Sequence, residues 1–226
     1  MKNLLILGIF VLCGIIFAQE QSKNQRIFTN FNGNGSIGFA APTKGDVQGT
    51  MYVFQEFSPV KVGGVLQEFT VRYNAFTDKM ELKDNENDQV FEYYPNINDK
   101  DFFLMGINKK YHYLNYQTKD GRSTNGYLLE LYVGKGNRLL KRERIKFVQG
   151  QVSKTGYDRT IPDKYIKDND VLFVQFGEGQ ILEIPTSRKD FLKIFGENES
   201  KVNQLIKSEG YSFKDEKDII KILNSL

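Results

Sequence analysis

The chain has 226 residues, with 31 Lys plus Arg against 28 Asp plus Glu and a formal net charge of +3. So small a charge, spread along the whole length, gives none of the basic field that nucleic acid or an anionic membrane surface selects, and no nucleic-acid partner is expected. A single histidine, His112, excludes a His–His metal pair, and with no Trp the aromatic character falls to 12 Tyr and 18 Phe.

The N-terminus carries Lys2, runs uncharged from Asn3 to Gln19 and is apolar over the fourteen residues Leu4–Phe17. A spanning helix needs about 20 apolar residues. A shorter run, followed at once by polar Gln19 and Glu20, reads as a secretory signal peptide over residues 1–18, cut between the small Ala18 and Gln19. An uncleaved anchor is the competing reading. Cys13 invites a third, cleavage before a lipidated cysteine, which Leu12 before it and the apolar residues continuing to Phe17 oppose. Cutting after Ala18 removes the sole cysteine and leaves 208 of the 226 residues. The mature chain then has no transmembrane segment and no thiol for a disulfide, a soft metal or nucleophilic attack. Its stability must come from one sizeable core.

Residues 19–48 are rich in Asn, Gly, Ser and Gln and read as a flexible leader or an irregular first strand. Gly33, Gly35 and Gly38 match G-x-G-x-x-G, but Ala40 to Gly45 open no helix and no βαβ unit surrounds them. From Gly49 to Pro185 the apolar period is two. Met51 to Phe57, Leu66 to Tyr73, Met80 to Lys83, Val90 to Tyr94, Phe102 to Ile107, Tyr111 to Tyr116, Tyr127 to Val133, Arg138 to Val148, Val171 to Phe176 and Gln180 to Ile184 read as strands. Gly63-Gly64, Thr77-Asp78, Asn108 to Lys110, Gly134 to Asn137 and Gly177 to Gly179 mark the hairpin turns.

Beyond Pro185 the period changes, and residues 186–226 predict a helical tail packed on the sheet. Ser187 with Asp190, Asn198, and Ser212 with Asp215 open three short helices; Gly196 and Gly210 close the first two. Strands followed by helices predict an α+β fold of mainly antiparallel β structure. The expectation is a hairpin-rich sheet or partial barrel of about 8–10 strands with three short C-terminal helices.

Few constellations carry chemistry. Asp84, Glu86 and Asp88 alternate as calcium ligands can, but Gln89 and Pro95 stand where an EF-hand loop needs Gly and Glu, so a solvated acidic tip is favoured. His112 lies in the strand Tyr111 to Tyr116 and no G-x-S-x-G elbow accompanies it, so it reads as a strand histidine and not a catalytic base. A pair of carboxylates distant in sequence stays open as the basis of a hydrolase. The most uneven charge is Arg138, Arg142, Arg144 and Lys146, which on one continuous strand share a face and could engage an anionic partner. The alternative is a solvated face whose cations pair with Glu130 and other carboxylates of neighbouring strands. No cofactor and no catalytic residue is assigned.

Three stretches, Arg72 to Glu81, Gly126-Tyr127 through Arg142 to Phe147, and Lys189-Asp190-Phe191-Leu192 to Ile219-Ile220-Lys221, resemble an uncharacterised family of exported envelope proteins of Gram-negative bacteria. The resemblance runs from about Gly49 to the end and carries no active site. It implies a location in the periplasm or at the outer-membrane periphery, and it implies that Arg72, Tyr73 and Asn74 belong to a structural hairpin whose turn Asp78 helps to form. The leading expectation is therefore a non-enzymatic envelope protein that binds another envelope protein or an anionic envelope component. A carboxylate-dependent hydrolase of cell-wall or exogenous polymer, and a lipid or lipoprotein carrier, are the alternatives.

Overall fold

A computed structural model of the chain describes residues 33–39, 47–84, 89–97, 99–151 and 161–226. The signal segment, with Cys13 and the Ala18–Gln19 cut, lies outside the described residues, as do Glu86 and Asp88 of the acidic tip.

Strand β1 (Ser36–Phe39) is followed by β2 (Ser58–Val62), β3 (Val65–Asn74), β4 (Lys79–Lys83), β5 (Val90–Tyr94) and β6 (Phe102–Leu104). A single 3-10 turn, Met105–Ile107, then leads into β7 (Lys109–Gln117), β8 (Ser123–Gly134) and β9 (Asn137–Arg142). The short pair β10 (Ile145–Val148) and β11 (Lys164–Lys167) stands apart from the main sheet, which resumes with β12 (Val171–Phe176) and β13 (Leu182–Glu183). Tight turns make the hairpins: Gly63 and Gly64, at φ 56° and 82°, join β2 to β3 in a conformation that glycine adopts without strain.

Among the described residues the main sheet has eleven strands in the order β1-β5-β4-β3-β2-β6-β7-β13-β12-β9-β8, and β8 also pairs with β7. That last pairing closes a ring. Strand β7 meets β8 along Tyr111 to Gln117, and on its other edge it meets β6 at its start and, in parallel, β13 at Gln117. Strands β7, β8, β9, β12 and β13 therefore form a small closed barrel, and β6, β2, β3, β4, β5 and β1 flare away from it as an open sheet.

Alternation fills both parts. Tyr116, Leu128, Leu140, Phe173 and Ile181 come from around the ring onto its inner face, each no more than 5% exposed, and they pack as one cluster. The lumen is thus occupied by side chains. The flared sheet curls around a larger core of Val60, Val71, Tyr73, Leu82, Tyr93 and Phe102, joined by Tyr111 and Tyr127 from the opposite face of the barrel wall. Burial of such side chains contributes roughly 1.5–3 kcal/mol each.

The outer face of β9 and β12 presents Leu139 and Val174, and three helices cover it: α1 (Arg188–Lys193), α2 (Glu199–Ser208) and α3 (Glu216–Ser225). Each is too short to persist alone. Phe191, Val202, Ile206, Ile219, Ile222 and Leu223 hold them to the strands and to one another. Ser187 caps α1 as expected, accepting from the Asp190 amide, and its hydroxyl donates to the Asp190 carboxylate at 2.7 Å. Helix α3 starts later than Ser212 predicts. Asp215 is its cap, accepting from the Lys217 and Asp218 amides, because an ionised carboxylate is the stronger acceptor for helix N-terminal donors. Asn198 precedes α2 without a side-chain capping bond.

Mainly antiparallel β structure with three C-terminal helices is therefore observed, and the strand count departs from the expected 8–10: thirteen occur among the described residues. Part of the segment read as leader forms β1, which pairs with β5 from Ser36↔Tyr94 to Phe39↔Phe91. The segment Met51 to Phe57 contributes only the Tyr52↔Asn74 bridge. The strand proper starts at Ser58, and Pro59, which has no N–H to donate, is accommodated by an irregularity between Pro59 and Lys61. The expected strand Arg138 to Val148 breaks after Arg142. Glu143 turns inward there, 4% exposed, to accept from Lys109 Nζ at 2.5 Å and the Tyr111 hydroxyl at 2.6 Å.

Candidate functional site

The barrel has two mouths. At the first, where β7 and β9 begin, Glu130 gathers the His112 ring, with Nε2 at 2.7 Å, and two cations, Arg138 at 3.6 Å and Lys110 at 3.8 Å. Arg138 also donates to Gln175 at 3.3 Å, and Lys110 reaches Asp101 at 3.5 Å. The His112 hydrogen bond, with help from Lys110 and Arg138, holds the Glu130 carboxyl below its usual range. Positive charge here is spent inside the protein.

At the second mouth, where β7 and β9 end, the closure is built by a residue from the flared sheet. Asp78, at φ 58° in the β3–β4 turn, sends its carboxylate into the barrel mouth. It accepts from the Tyr73 hydroxyl at 2.7 Å and the Tyr127 amide at 3.2 Å, and pairs with Arg142 at 3.3 Å. Arg142 donates in turn to the Tyr116 hydroxyl at 2.5 Å. Burial pushes the Asp78 carboxyl up despite Arg142 and the two hydrogen bonds, and pushes the Tyr73 and Tyr116 phenols up as well, so both phenols stay neutral, Tyr73 donating to Asp78 and Tyr116 accepting from Arg142. Gly126 makes the fit possible: a Cβ there would lie 2.4 Å from Asp78 Oδ2 and 3.1 Å from the Tyr116 hydroxyl. The turn itself is held by Asn74, whose side-chain oxygen accepts from the Phe76 and Thr77 amides at 3.1 Å each. Arg72 and Asn74 also bind Glu81, each at 2.8 Å, so Arg72, Tyr73 and Asn74 all hydrogen-bond within the β3–β4 hairpin.

Outside this plug opens a cleft of about 890 Å³ between the β7–β8 turn, the ends of β9 and β12, and the approach to α3. Its cations are Lys119, Arg122, Arg142, Arg144 and Lys214; its anions are Asp120, Asp170 and Glu183. All three anions are engaged. Asp120 accepts from Thr118 at 2.5 Å and Arg122 at 2.6 Å, which hold it below the usual range. Asp170 accepts from the Arg144 amide at 3.2 Å, and Glu183 from the Lys119 amide at 2.9 Å. Of the cations, Arg144 pairs with Asp168 at 3.0 Å, beside Lys146 at 3.2 Å. Lys119 and Lys214 are exposed and form no ion pair among the described residues. A second hollow of about 430 Å³ continues from the cleft toward Ser187 and Asp190, sharing Thr118, Lys119, Glu183, Pro185 and Thr186 with it.

The four basic residues predicted on one strand face are therefore divided. Arg142 and Arg144 line the cleft; Arg138 stands at the opposite mouth; Lys146 lies on β10 against Asp168. The break at Glu143 removes the continuous strand on which the common face depended. Arg138 does pair with Glu130, the partner named for a solvated face. Lys119 and Lys214 escaped sequence reasoning, and Asp78 was read as a turn residue but not as the anchor of Arg142. They lie in three different turns, and no local pattern shows that the barrel closure brings those turns together.

Among the described residues no group of three His, Cys, Asp or Glu side chains is placed to hold a metal, and no helix is long and apolar enough to cross a membrane. No family model, no curated protein and no solved structure matches the chain.

Proposed function

We propose that this chain is an exported protein of the bacterial envelope, in the periplasm or at the outer-membrane periphery, and that it acts as a non-enzymatic binding module for an anionic envelope component or another envelope protein. The export reading rests on the short apolar run Leu4–Phe17 with Ala18 behind it, and on the family resemblance. The binding reading rests on one observation, the cleft at the second mouth. A buried network holds Arg142 in place at its floor while Lys119 and Lys214 at its edge have no carboxylate of their own. Its three carboxylates each hold a neighbouring donor, an arrangement that shapes a surface and does not expose a spare acid and base for hydrolysis.

The test is crosslinking in intact cells followed by co-purification. The full chain yields a mature N-terminus at Gln19 and a captured partner. Arg144→Gln with Lys119→Gln reduces the capture while thermal unfolding stays in place. Unchanged capture by that variant, with the mature N-terminus intact, removes the cleft from the reading.

A further inference from the structure

The two hollows form one groove. Thr118, Lys119 and Glu183 belong to both, so a ligand can run past the β7–β8 turn from Arg142 and Lys214 to Ser187 and Asp190 without leaving the surface. Its cationic end carries the two lysines without ion pairs, whereas each arginine already has one carboxylate, Asp120 for Arg122, Asp78 for Arg142 and Asp168 for Arg144. Adding Asp78 and Asp168 to the three acids in the cleft wall sets five carboxylates among its five cations, with Lys146 and Lys167 also drawing on Asp168 and Asp170. A compact polyanion therefore meets carboxylates interleaved with the cations. What the groove offers is separated charges of both signs along an extended path, with Ile184, Pro185 and Phe213 as apolar wall between them.

Resting on the binding reading above, we infer that the groove takes an extended acidic peptide segment of a partner protein. Its carboxylates pair with Lys119 and Lys214, and its backbone and small polar side chains meet the wall between them. Such a ligand uses the cations that cost no internal pair, and the carboxylates around it disfavour a denser anion by like-charge repulsion.

The purified full-length mature chain is titrated into three labelled probes of equal length: a peptide of alternating Asp and Ser, one of alternating Lys and Ser, and inorganic polyphosphate. Fluorescence anisotropy is expected to show binding of the acidic peptide only, weakened at least about tenfold by Lys119→Glu with Lys214→Glu, and weakened by added salt. The milder Lys119→Gln with Lys214→Gln keeps the test valid should the reversal variant fold poorly. Acidic-peptide binding that survives both variants overturns the inference. Binding of polyphosphate in preference to the acidic peptide overturns it too, yet leaves an anion-binding module standing. Binding of none of the probes, while cells still yield a cleft-dependent partner, overturns the peptide chemistry alone.

Discussion

At one mouth of the closed barrel Lys110, Arg138 and the His112 ring converge on Glu130, and at the other Arg142 is locked to Asp78 and Tyr116 while Lys119 and Lys214 form no ion pair among the described residues. The same five strands end in both. The difference comes from what the rest of the chain delivers to each end. The first mouth neutralises itself with residues of its own wall, so its charges shape nothing beyond the barrel. The second is closed by a turn from the flared sheet and bordered by the loop before α3, and this leaves a cleft outside the plug. Saturated charge reads as structure; positioned charge beside unpaired charge reads as a surface for something else.

The largest expected effect separates the two ends directly. Arg142→Ala leaves the Asp78 carboxylate without its cation, and the side chain keeps only 15% of its exposure. The expected loss in urea unfolding is about 3 kcal/mol, the lower end of the cost of breaking a buried pair. Arg138→Ala leaves Lys110 and His112 on Glu130 and should cost less than about 1 kcal/mol. Equal losses would erase the distinction. Next comes Gly126→Ala, whose Cβ would press on Asp78 Oδ2; an overpacking cost of about 1–3 kcal/mol is expected in the same measurement, with no counterpart at the first mouth.

The first mouth should declare itself in acid. Glu130 is held below its ordinary value of 4.5, chiefly by the His112 hydrogen bond. A carboxyl depressed in the folded state stabilises the fold above its unfolded value, and that stabilisation fades as the pH falls through the folded one. Glu130→Gln should therefore flatten the acid limb of stability below a pH of about 4.5 and leave its upper part parallel to the parent curve. The smallest effect belongs to these two lysines: Lys119→Glu with Lys214→Glu should change stability by no more than about 0.5 kcal/mol, because no ion pair is lost and Lys214 gives up only its approach to the Phe213 ring.

How much of this was legible follows from the range of each interaction. The hairpins from β2 to β9 are local, set by alternation and turn residues, and so is the Ser187–Asp190 cap of α1; these could be read along the chain. The closure of β13 onto β7 rests on the single register pair Leu182↔Gln117, and such a contact leaves no periodic trace. The basic strip was visible as composition but not as geometry, because its interruption depends on Glu143 finding Lys109 and Tyr111, which lie more than thirty residues away. Asp78 was legible as a turn residue. Its role as the anchor of Arg142 appears only when the flared sheet and the barrel meet.

The claim that the second mouth is the partner-facing end can be tested by photo-crosslinking from two single positions of the exported full-length chain: Thr118 in the groove, and Gln175 beside Arg138 at the opposite mouth. The expected result is an adduct from Thr118 that disappears with Lys119→Glu and Lys214→Glu, and none from Gln175. An adduct from Gln175 alone, or one from Thr118 indifferent to both lysines, would contradict it.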